Sequence, residues 1–122
     1  MLEPGLECED EFLVTEKHAV DFMGGPGVLS TPSMISMMEE VAWACVEDKL
    51  PEGQTTVGVY VCVEHRKPAL VGSTVRVKAR LTEVQGRLLT FHVEVRLGED
   101  IVGVGEHRRF VIDKDRFLAS LR

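Results

Sequence analysis

One segment, from about residue 32 to residue 48, constrains the fold more than any other part of the chain. Its apolar residues recur at helical spacing over a broad arc, and Pro51 and Gly53 follow as helix-ending residues. The residues of that arc are Met34, Ile35, Met38, Val41, Ala42, Cys45 and Val46. A helix that is apolar over so much of its circumference cannot bury all of these side chains against a flat sheet. The sequence therefore predicts a layer that curves around this helix.

The rest of the chain is typical of antiparallel β-strands joined by tight turns. The strand-like segments are residues 6–16, 55–65, 74–84, 88–97 and 101–112, and a short amphipathic helix follows at about 113–121. Residues 55–65 are apolar on both faces, as in a central strand, whereas residues 74–84 alternate cleanly between apolar and polar side chains. This order predicts an α+β hotdog fold, in which a curved antiparallel sheet wraps around one long central helix. The open edge of so small a sheet favours pairing into a dimer, and pairing of dimers into a tetramer stays open.

Composition and charge limit the class of protein. A length of 122 residues predicts a single domain over residues 1–122. A net charge of −6 argues against a nucleic-acid partner, and no apolar stretch approaches the roughly 20 residues that cross a bilayer. The N-terminus lacks the basic and apolar regions of a secretory signal. Cys45 and Cys62 lie in apolar runs and, with Cys8, make an odd count without motif spacing, so we expect small core residues and a cytoplasmic protein.

Glu39 stands out within the helical segment because it lies at the edge of the apolar arc, whereas its neighbour Glu40 points to the polar side. Desolvating an unpaired charge costs on the order of several kcal/mol. A carboxylate at this position therefore has a partner, takes part in chemistry, or reaches out to water. His65 ends the first long strand after the helix, and histidine changes its protonation near neutral pH. Thr31, Glu39 and His65 together predict a small acid–base site.

Three short motifs, in register along nearly the whole chain, resemble those of a known family. They are Thr31-Pro32-x-Met34-x3-Met38-Glu39, then Gly58-x6-His65, then Gly103-x-Gly105-x-His107 before a basic pair and Phe110-Val111-Ile112. The chain thereby resembles the hotdog thioesterases related to the fluoroacetyl-CoA-specific thioesterase. The resemblance implies an acyl-CoA substrate and a site at a dimer interface. It also implies Thr31, Glu39 and His65 as the catalytic set, with Gly58 near the thioester.

The chemistry of thioester hydrolysis fits these residue types. The reaction needs a nucleophile or an activated water, a donor for the developing oxyanion and an acid for the leaving thiol. Glu39 can attack the thioester or act as base to a water, His65 can relay the proton, and Gly58 offers a backbone N–H. Each residue also has a structural interpretation: Thr31 as a helix N-cap, His65 as a strand-end residue, and Gly58 as a site of close packing.

Further residues are candidates for substrate binding. The segment before the helix carries only Phe22 where the fluoroacetate specialist of that family has an aromatic-rich lid. The resemblance therefore implies thioester hydrolysis as a class and not fluoroacetyl specificity, and our hypothesis is a short or medium acyl group. Arg108 and Arg109, together with Lys114 and Arg116, are candidates for a basic patch that holds a polyanionic ligand, or are solvated surface charges. His107 shares a strand face with Gly103 and Gly105; these glycines ease strand curvature or admit a ligand, and we favour curvature.

Two functions from different classes are compatible with these observations. The first is an acyl-CoA thioesterase that releases free acid and CoA. The second is a non-catalytic hotdog dimer that binds acyl-CoA without turnover. The four histidines lack metal-ligand spacing, so we expect no metal, and no separate cofactor because CoA is part of the substrate.

Overall fold

The computed structural model describes residues 2–122 and contains a five-stranded antiparallel sheet with one long helix. The main elements are β1 (Glu7–Leu13), β2 (Ala19–Val20), β3 (Val28–Leu29), α1 (Thr31–Glu47), β4 (Gln54–His65), β5 (Thr74–Gln85), β6 (Leu88–Leu97), β7 (Asp100–Asp113) and α2 (Lys114–Ala119). The five long strands lie in the order β1-β5-β6-β7-β4, and β2 pairs with β3 in a separate two-stranded ribbon. The predicted hotdog fold is confirmed.

Helix α1 contacts all five strands of the large sheet, which requires the sheet to curve around it. The buried side chains of the helix are Met34, Met37, Met38, Val41, Ala42, Cys45 and Val46. They pack against the inward-facing residues of β5 and β6, among them Val77, Leu81 and Phe91, all fully buried. The alternation of the sequence therefore predicted the inner face of the sheet correctly, because side chains on a strand point to opposite faces in turn.

Strand β4 lies at an edge of the sheet rather than in its centre, which corrects the interpretation of its two apolar faces. It pairs with β7 on one side only, and its register shifts between Gly58 and Tyr60. Val59, Tyr60 and Val61 are 54%, 42% and 40% exposed. A central strand has a neighbour on each side, so the apolar pattern of β4 exceeds what the single chain covers.

Several other expectations need correction. The N-cap of α1 is Ser30, whose hydroxyl accepts from the backbone N–H of Ser33 at 3.1 Å, and Thr31 is the first helical residue. Cys8 and Cys45 form a disulfide between β1 and α1, and Cys62 is exposed rather than a core residue. A 3-10 helix at Glu16–His18 lies between β1 and β2. None of the helices in residues 2–122 combines the length and apolar content that a membrane crossing needs.

Candidate active site

Thr31 and His65 meet at the start of α1. The Thr31 hydroxyl lies 2.8 Å from Nδ1 of His65, although the two residues are 34 positions apart in the sequence. Ser30 caps the helix in place of Thr31, so the Thr31 hydroxyl does not serve the helix N-terminus and is available to the histidine. The Nε2 atom of His65 is buried and has no hydrogen-bond partner within residues 2–122. A buried polar atom without a partner is rare in native proteins, and it calls for an explanation such as a catalytic role or a bound water or ion.

Glu39 lies two turns further along α1, over the backbone of Gly58 in β4. A Cβ atom built on Gly58 would lie 2.7 Å from Oε2 of Glu39, so any side chain there would displace the carboxylate. The two residues line a cleft of about 470 Å³ that also includes Trp43, Thr56 and Arg109. Glu39 is partly buried, as its position on the edge of the apolar arc predicted. Glycine at position 58 therefore permits the close approach of a carboxylate to the strand.

Behind Gly58 lies a buried polar cluster formed by Arg109, His107 and Thr56. The guanidinium of Arg109 donates from Nε to the Thr56 hydroxyl at 2.7 Å and from Nη2 to the Thr56 carbonyl at 2.9 Å. Its Nη1 lies 3.2 Å from Nε2 of His107, and Nδ1 of His107 lies 2.8 Å from the carbonyl oxygen of Tyr60. Arg109 is 7% exposed and His107 is fully buried.

Burial governs the ionisation of this cluster. It lowers the pKa of Arg109, while the nearby carboxylates of Glu39 and Glu47 act in the opposite direction. Burial also lowers the pKa of His107, an effect strengthened by the positive charge of Arg109 and opposed by the hydrogen bond to the Tyr60 carbonyl. Arginine stays protonated in proteins, so the cluster combines a cationic guanidinium with an imidazole that disfavours a proton.

The predicted catalytic residues form two groups in one chain. Thr31 and Glu39 are eight positions apart on the helix, which is about 12 Å along its axis. Gly58, beneath Glu39, and His65 are seven positions apart on β4, which is about 20 Å. The structure thus brings Thr31 to His65 and Glu39 to Gly58, and a single chain does not bring Glu39 to His65.

The structure separates the remaining predicted residues. Phe22 is 82% exposed, in the turn between β2 and β3, and does not line the Glu39 cleft. Arg108 and Arg109 do not form one basic patch, because neighbouring residues of a strand face opposite sides. Arg108 lies on the outer face, where it pairs with Glu106 at 2.7 Å and stacks over the ring of Tyr60. Arg109 points inward to the cleft.

Sequence reasoning did not place His107 beside the candidate site. The signal available was its position two residues before Arg109, on the same face of β7, opposite the strand that carries Gly58. The two glycines of that motif have packing roles. A Cβ on Gly103 would collide with the Met34 side chain, and a Cβ on Gly105 would collide with the backbone of β4, so neither position lies open to a ligand.

The Glu39 cleft is not the largest on the surface. A cleft of about 610 Å³ lies at the C-terminal end of α1, but Lys49 and Arg87 are the only ionisable residues along its described lining. It therefore lacks an acid–base pair. Within residues 2–122, no group of three or more His, Cys, Asp or Glu side chains is arranged to hold a metal ion.

Known proteins match this chain over most of its length. The family described as FlK, fluoroacetyl-CoA-specific thioesterase, matches residues 14–115. A fluoroacetyl-CoA thioesterase from Streptantibioticus cattleyicolor is 37% identical over 105 residues, which is 84% of this chain and 73% of that protein.

Solved structures agree with this match. A structure of the fluoroacetyl-CoA thioesterase FlK superimposes with a TM-score of 0.92 at 30% identity, covering 100% of this chain and 96% of that one. A thioesterase superfamily member from Thermus thermophilus, also 30% identical, gives a TM-score of 0.89 over 98% of this chain and 90% of its own. A hot-dog-like protein from Thermanaerovibrio acidaminovorans, 22% identical, has the same fold with a TM-score of 0.88 over 97% of this chain and 89% of its own.

Proposed function

The chain belongs to the fluoroacetyl-CoA-specific thioesterase family and is a thioester hydrolase, and we propose that it hydrolyses a short- or medium-chain acyl-CoA to free acid and CoA with Thr31, Glu39 and His65. One observation carries this proposal. The Thr31 hydroxyl lies 2.8 Å from His65 Nδ1, and the buried Nε2 on the other side of the same ring has no partner. A histidine held on one nitrogen and free on the other is prepared to transfer a proton.

In the proposed reaction, Glu39 either removes a proton from a water that attacks the thioester carbonyl or attacks that carbonyl itself. The electron pair of the C=O bond moves to the oxygen, and the backbone N–H of Gly58 donates to the resulting oxyanion. The C–S bond then breaks, and His65 gives a proton to the departing thiolate. His65 regains that proton from Glu39, which took it from the attacking water, or from the water that later hydrolyses the anhydride. Thr31 holds the ring of His65 by its Nδ1 atom. Water then completes hydrolysis if an acyl–Glu39 anhydride has formed.

We propose that two chains complete each site. In an antiparallel pair of β4 strands related by a two-fold axis, facing residues lie equally far along the strand from the axis and point to the same face. Because the register of β4 shifts between Gly58 and Tyr60, Gly58 and His65 share a face and lie three ladder positions either side of Cys62. A two-fold axis through Cys62, in the exposed run, therefore places Gly58 of one subunit opposite His65 of the other. Side chains that face each other across such a pair lie about 5 Å apart at Cβ. Glu39 of one subunit would then meet the Thr31–His65 pair of the other, which accounts for their separation within one chain.

Other parts of the proposal concern the substrate and its surroundings. Arg109 lies beside Glu39 and would contact the substrate near its thioester group. Arg108 lies on the outer face and would contact the CoA phosphates. Phe22 would cover the acyl group when the turn that carries it moves towards the site. The Thr, Glu and His side chains supply the acid–base functions of hydrolysis, so we propose that no further cofactor takes part. We also propose a cytoplasmic location, on the ground of an acyl-CoA substrate alone, because the Cys8–Cys45 disulfide removes the argument from unpaired cysteines.

The first test is thiol release from acetyl-, butyryl-, octanoyl- and palmitoyl-CoA. We expect Glu39→Gln and His65→Ala to lower kcat about 100-fold or more with an unchanged circular dichroism spectrum, because each removes an acid–base group. Glu83→Gln and His92→Ala are matched controls away from the cleft and should retain wild-type rates. Wild-type turnover by Glu39→Gln would refute the proposed mechanism, and saturable binding without turnover in the wild type would favour the acyl-CoA-binding function.

The second test asks which subunit supplies each group. Glu39→Gln and His65→Ala chains are unfolded together, mixed and refolded. If the site is shared, the mixture regains about a quarter of wild-type activity, because half of the dimers are mixed and each contains one intact site of two. A site built within one chain would leave the mixture inactive.

A further inference from the structure

The buried cluster behind Gly58 permits only one protonation state of His107. The carbonyl oxygen of Tyr60 can only accept, so the Nδ1 atom of His107, 2.8 Å away, carries a hydrogen. Arg109 has only N–H groups to offer, so the Nε2 atom of His107, 3.2 Å from Nη1 of Arg109, presents a lone pair. His107 is therefore a neutral imidazole with its hydrogen on Nδ1. An added proton on Nε2 would remove the bond to Arg109 and place two cations in contact.

This arrangement fixes the guanidinium of Arg109 at three of its nitrogens. Thr56 accepts from Nε through its hydroxyl and from Nη2 through its carbonyl, and His107 accepts from Nη1. Without the third acceptor, Nη1 is a buried donor on the side of the guanidinium that faces the cleft. A guanidinium is planar, so a partner on that side also fixes the tilt of the plane.

The same Nη1 atom lies close to the Glu39 carboxylate. A Cβ on Gly58 would lie 2.7 Å from Oε2 of Glu39 and 3.4 Å from Nη1 of Arg109, which places the two charged atoms within about 6 Å of each other. The cleft wall that Glu39 faces is thus formed by a glycine with a cation directly behind it. The position of that cation depends on the imidazole.

We propose that His107 is a positioning residue of the hydrolytic site, which as a neutral hydrogen-bond acceptor holds Arg109 in the orientation that Glu39 and the substrate meet. This inference rests on the proposed function, in which Glu39 performs the chemistry. His107 is not itself an acid or base for the reaction, since both ring nitrogens are occupied by internal partners and its side chain is fully buried. It acts only by orienting Arg109.

The protonation state is tested on the wild-type protein by ¹⁵N NMR of the histidine rings. We expect His107 to show the Nδ1–H neutral tautomer, with an acceptor-type Nε2 signal, at every pH from 6 to 9. A neutral Nε2–H tautomer or an imidazolium at pH 7 would overturn the inference. This measurement needs neither a variant nor a substrate, so it holds even if substitutions at position 107 unfold the chain.

The positioning role is tested with two variants at position 107 whose side-chain amides differ in length. In His107→Gln the side-chain oxygen reaches the place of Nε2 and can accept from Arg109, whereas in His107→Asn the amide reaches only the place of Nδ1, beside the Tyr60 carbonyl. We expect His107→Asn to lower kcat about tenfold or more with KM changed less than about twofold, and His107→Gln to recover most of that loss, as is typical when a supporting partner is removed. Equal kcat values for the two folded variants would overturn the inference.

A double-mutant cycle confirms the route through Arg109. If His107 acts only through the guanidinium, His107→Asn lowers kcat no further in an Arg109→Met background, whereas independent roles would multiply. The outcome is separable from that of the proposed function. Wild-type turnover by Glu39→Gln refutes the catalytic assignment of Glu39. The tautomer of His107 is still tested by NMR, and its positioning role by the kcat values of its two amide variants.

Discussion

At the scale of single residues, the most instructive position is the start of α1, where Ser30 and Thr31 are both good capping residues. The sequence alone does not distinguish them, because the choice depends on where the backbone turns into the helix. The structure gives the cap to Ser30 and the histidine contact to Thr31. The two adjacent hydroxyls therefore have different partners, a backbone N–H of the helix for Ser30 and the His65 ring for Thr31.

This division predicts opposite effects for two substitutions. Ser30→Ala should lower the free energy of unfolding by about 1 kcal/mol, because a helix N–H loses its partner, and change kcat/KM less than about twofold. Thr31→Val should leave the stability near that of the wild type but lower kcat/KM about tenfold or more, because His65 loses its orienting hydroxyl. Urea unfolding and thiol-release kinetics measure the two effects. Loss of stability in Thr31→Val alone would instead identify Thr31 as the cap.

Arg108 and Arg109 show that the sequence of adjacent residues does not reveal which face of the sheet each side chain occupies. Adjacent basic residues look like one patch, yet the pleat of β7 sends them to opposite faces, and only Arg109 enters the cleft. The alternation of a strand requires this separation, which the prediction of one basic patch did not take into account, and assigning the inner face required knowing that β7 lies beside β4. His107 was missed for the same reason, because its partners belong to β4 and are distant in sequence.

At the scale of elements, periodicity predicted the helix and the inner faces of β5 and β6 closely. What it did not predict was the use of the glycines in β7. Gly105 faces the backbone of β4, and Gly103 lies under the methionines of α1. A glycine in a strand indicates a bend, a bulge or a close approach, and the sequence does not say which, since the approaching group comes from another element.

These two glycines should respond differently to alanine. In Gly105→Ala the new methyl meets the backbone of Cys62 and Val63, which cannot move without separating β4 from β7. We expect a loss of about 2–3 kcal/mol in the free energy of unfolding. In Gly103→Ala the obstacle is the end of the flexible Met34 and Met38 side chains, so the loss should be smaller. Chemical denaturation of both variants tests the order, which the reverse ranking would contradict.

At the scale of the whole molecule, residues 55–65 were correctly predicted to form a strand but wrongly predicted to form a central one. Both faces of residues 55–65 are apolar, which is typical of a central strand, yet the single chain leaves β4 at an edge. The pattern agrees with a sheet that continues into a second chain, where β4 becomes central. This exposed apolar edge therefore supports the proposed dimer, which the pairing of strands within one chain does not reveal.

The two edges of the sheet differ in charge, and this difference predicts which of them joins two subunits. Strand β1 carries four carboxylates, at Glu7, Glu9, Asp10 and Glu11, whereas residues 57–63 of β4 carry no charge. Like charges placed opposite each other repel, and natural edge strands use charges to prevent such pairing. Pairing through β4 also places the Thr31–His65 group of one subunit beside Glu39 of the other, as proposed above.

A lysine on each edge distinguishes these alternatives. Val59→Lys places a charge in the exposed apolar run of β4, and Leu13→Lys places the same charge on the β1 edge at a residue of similar exposure, 56% against 54%. We expect Val59→Lys to be monomeric by sedimentation and to lose activity about 100-fold or more, because desolvating an unpaired ammonium opposes association and each site then lacks half of its residues. Leu13→Lys should remain dimeric and active. A monomeric Leu13→Lys, or a monomeric and fully active Val59→Lys, would contradict the shared site.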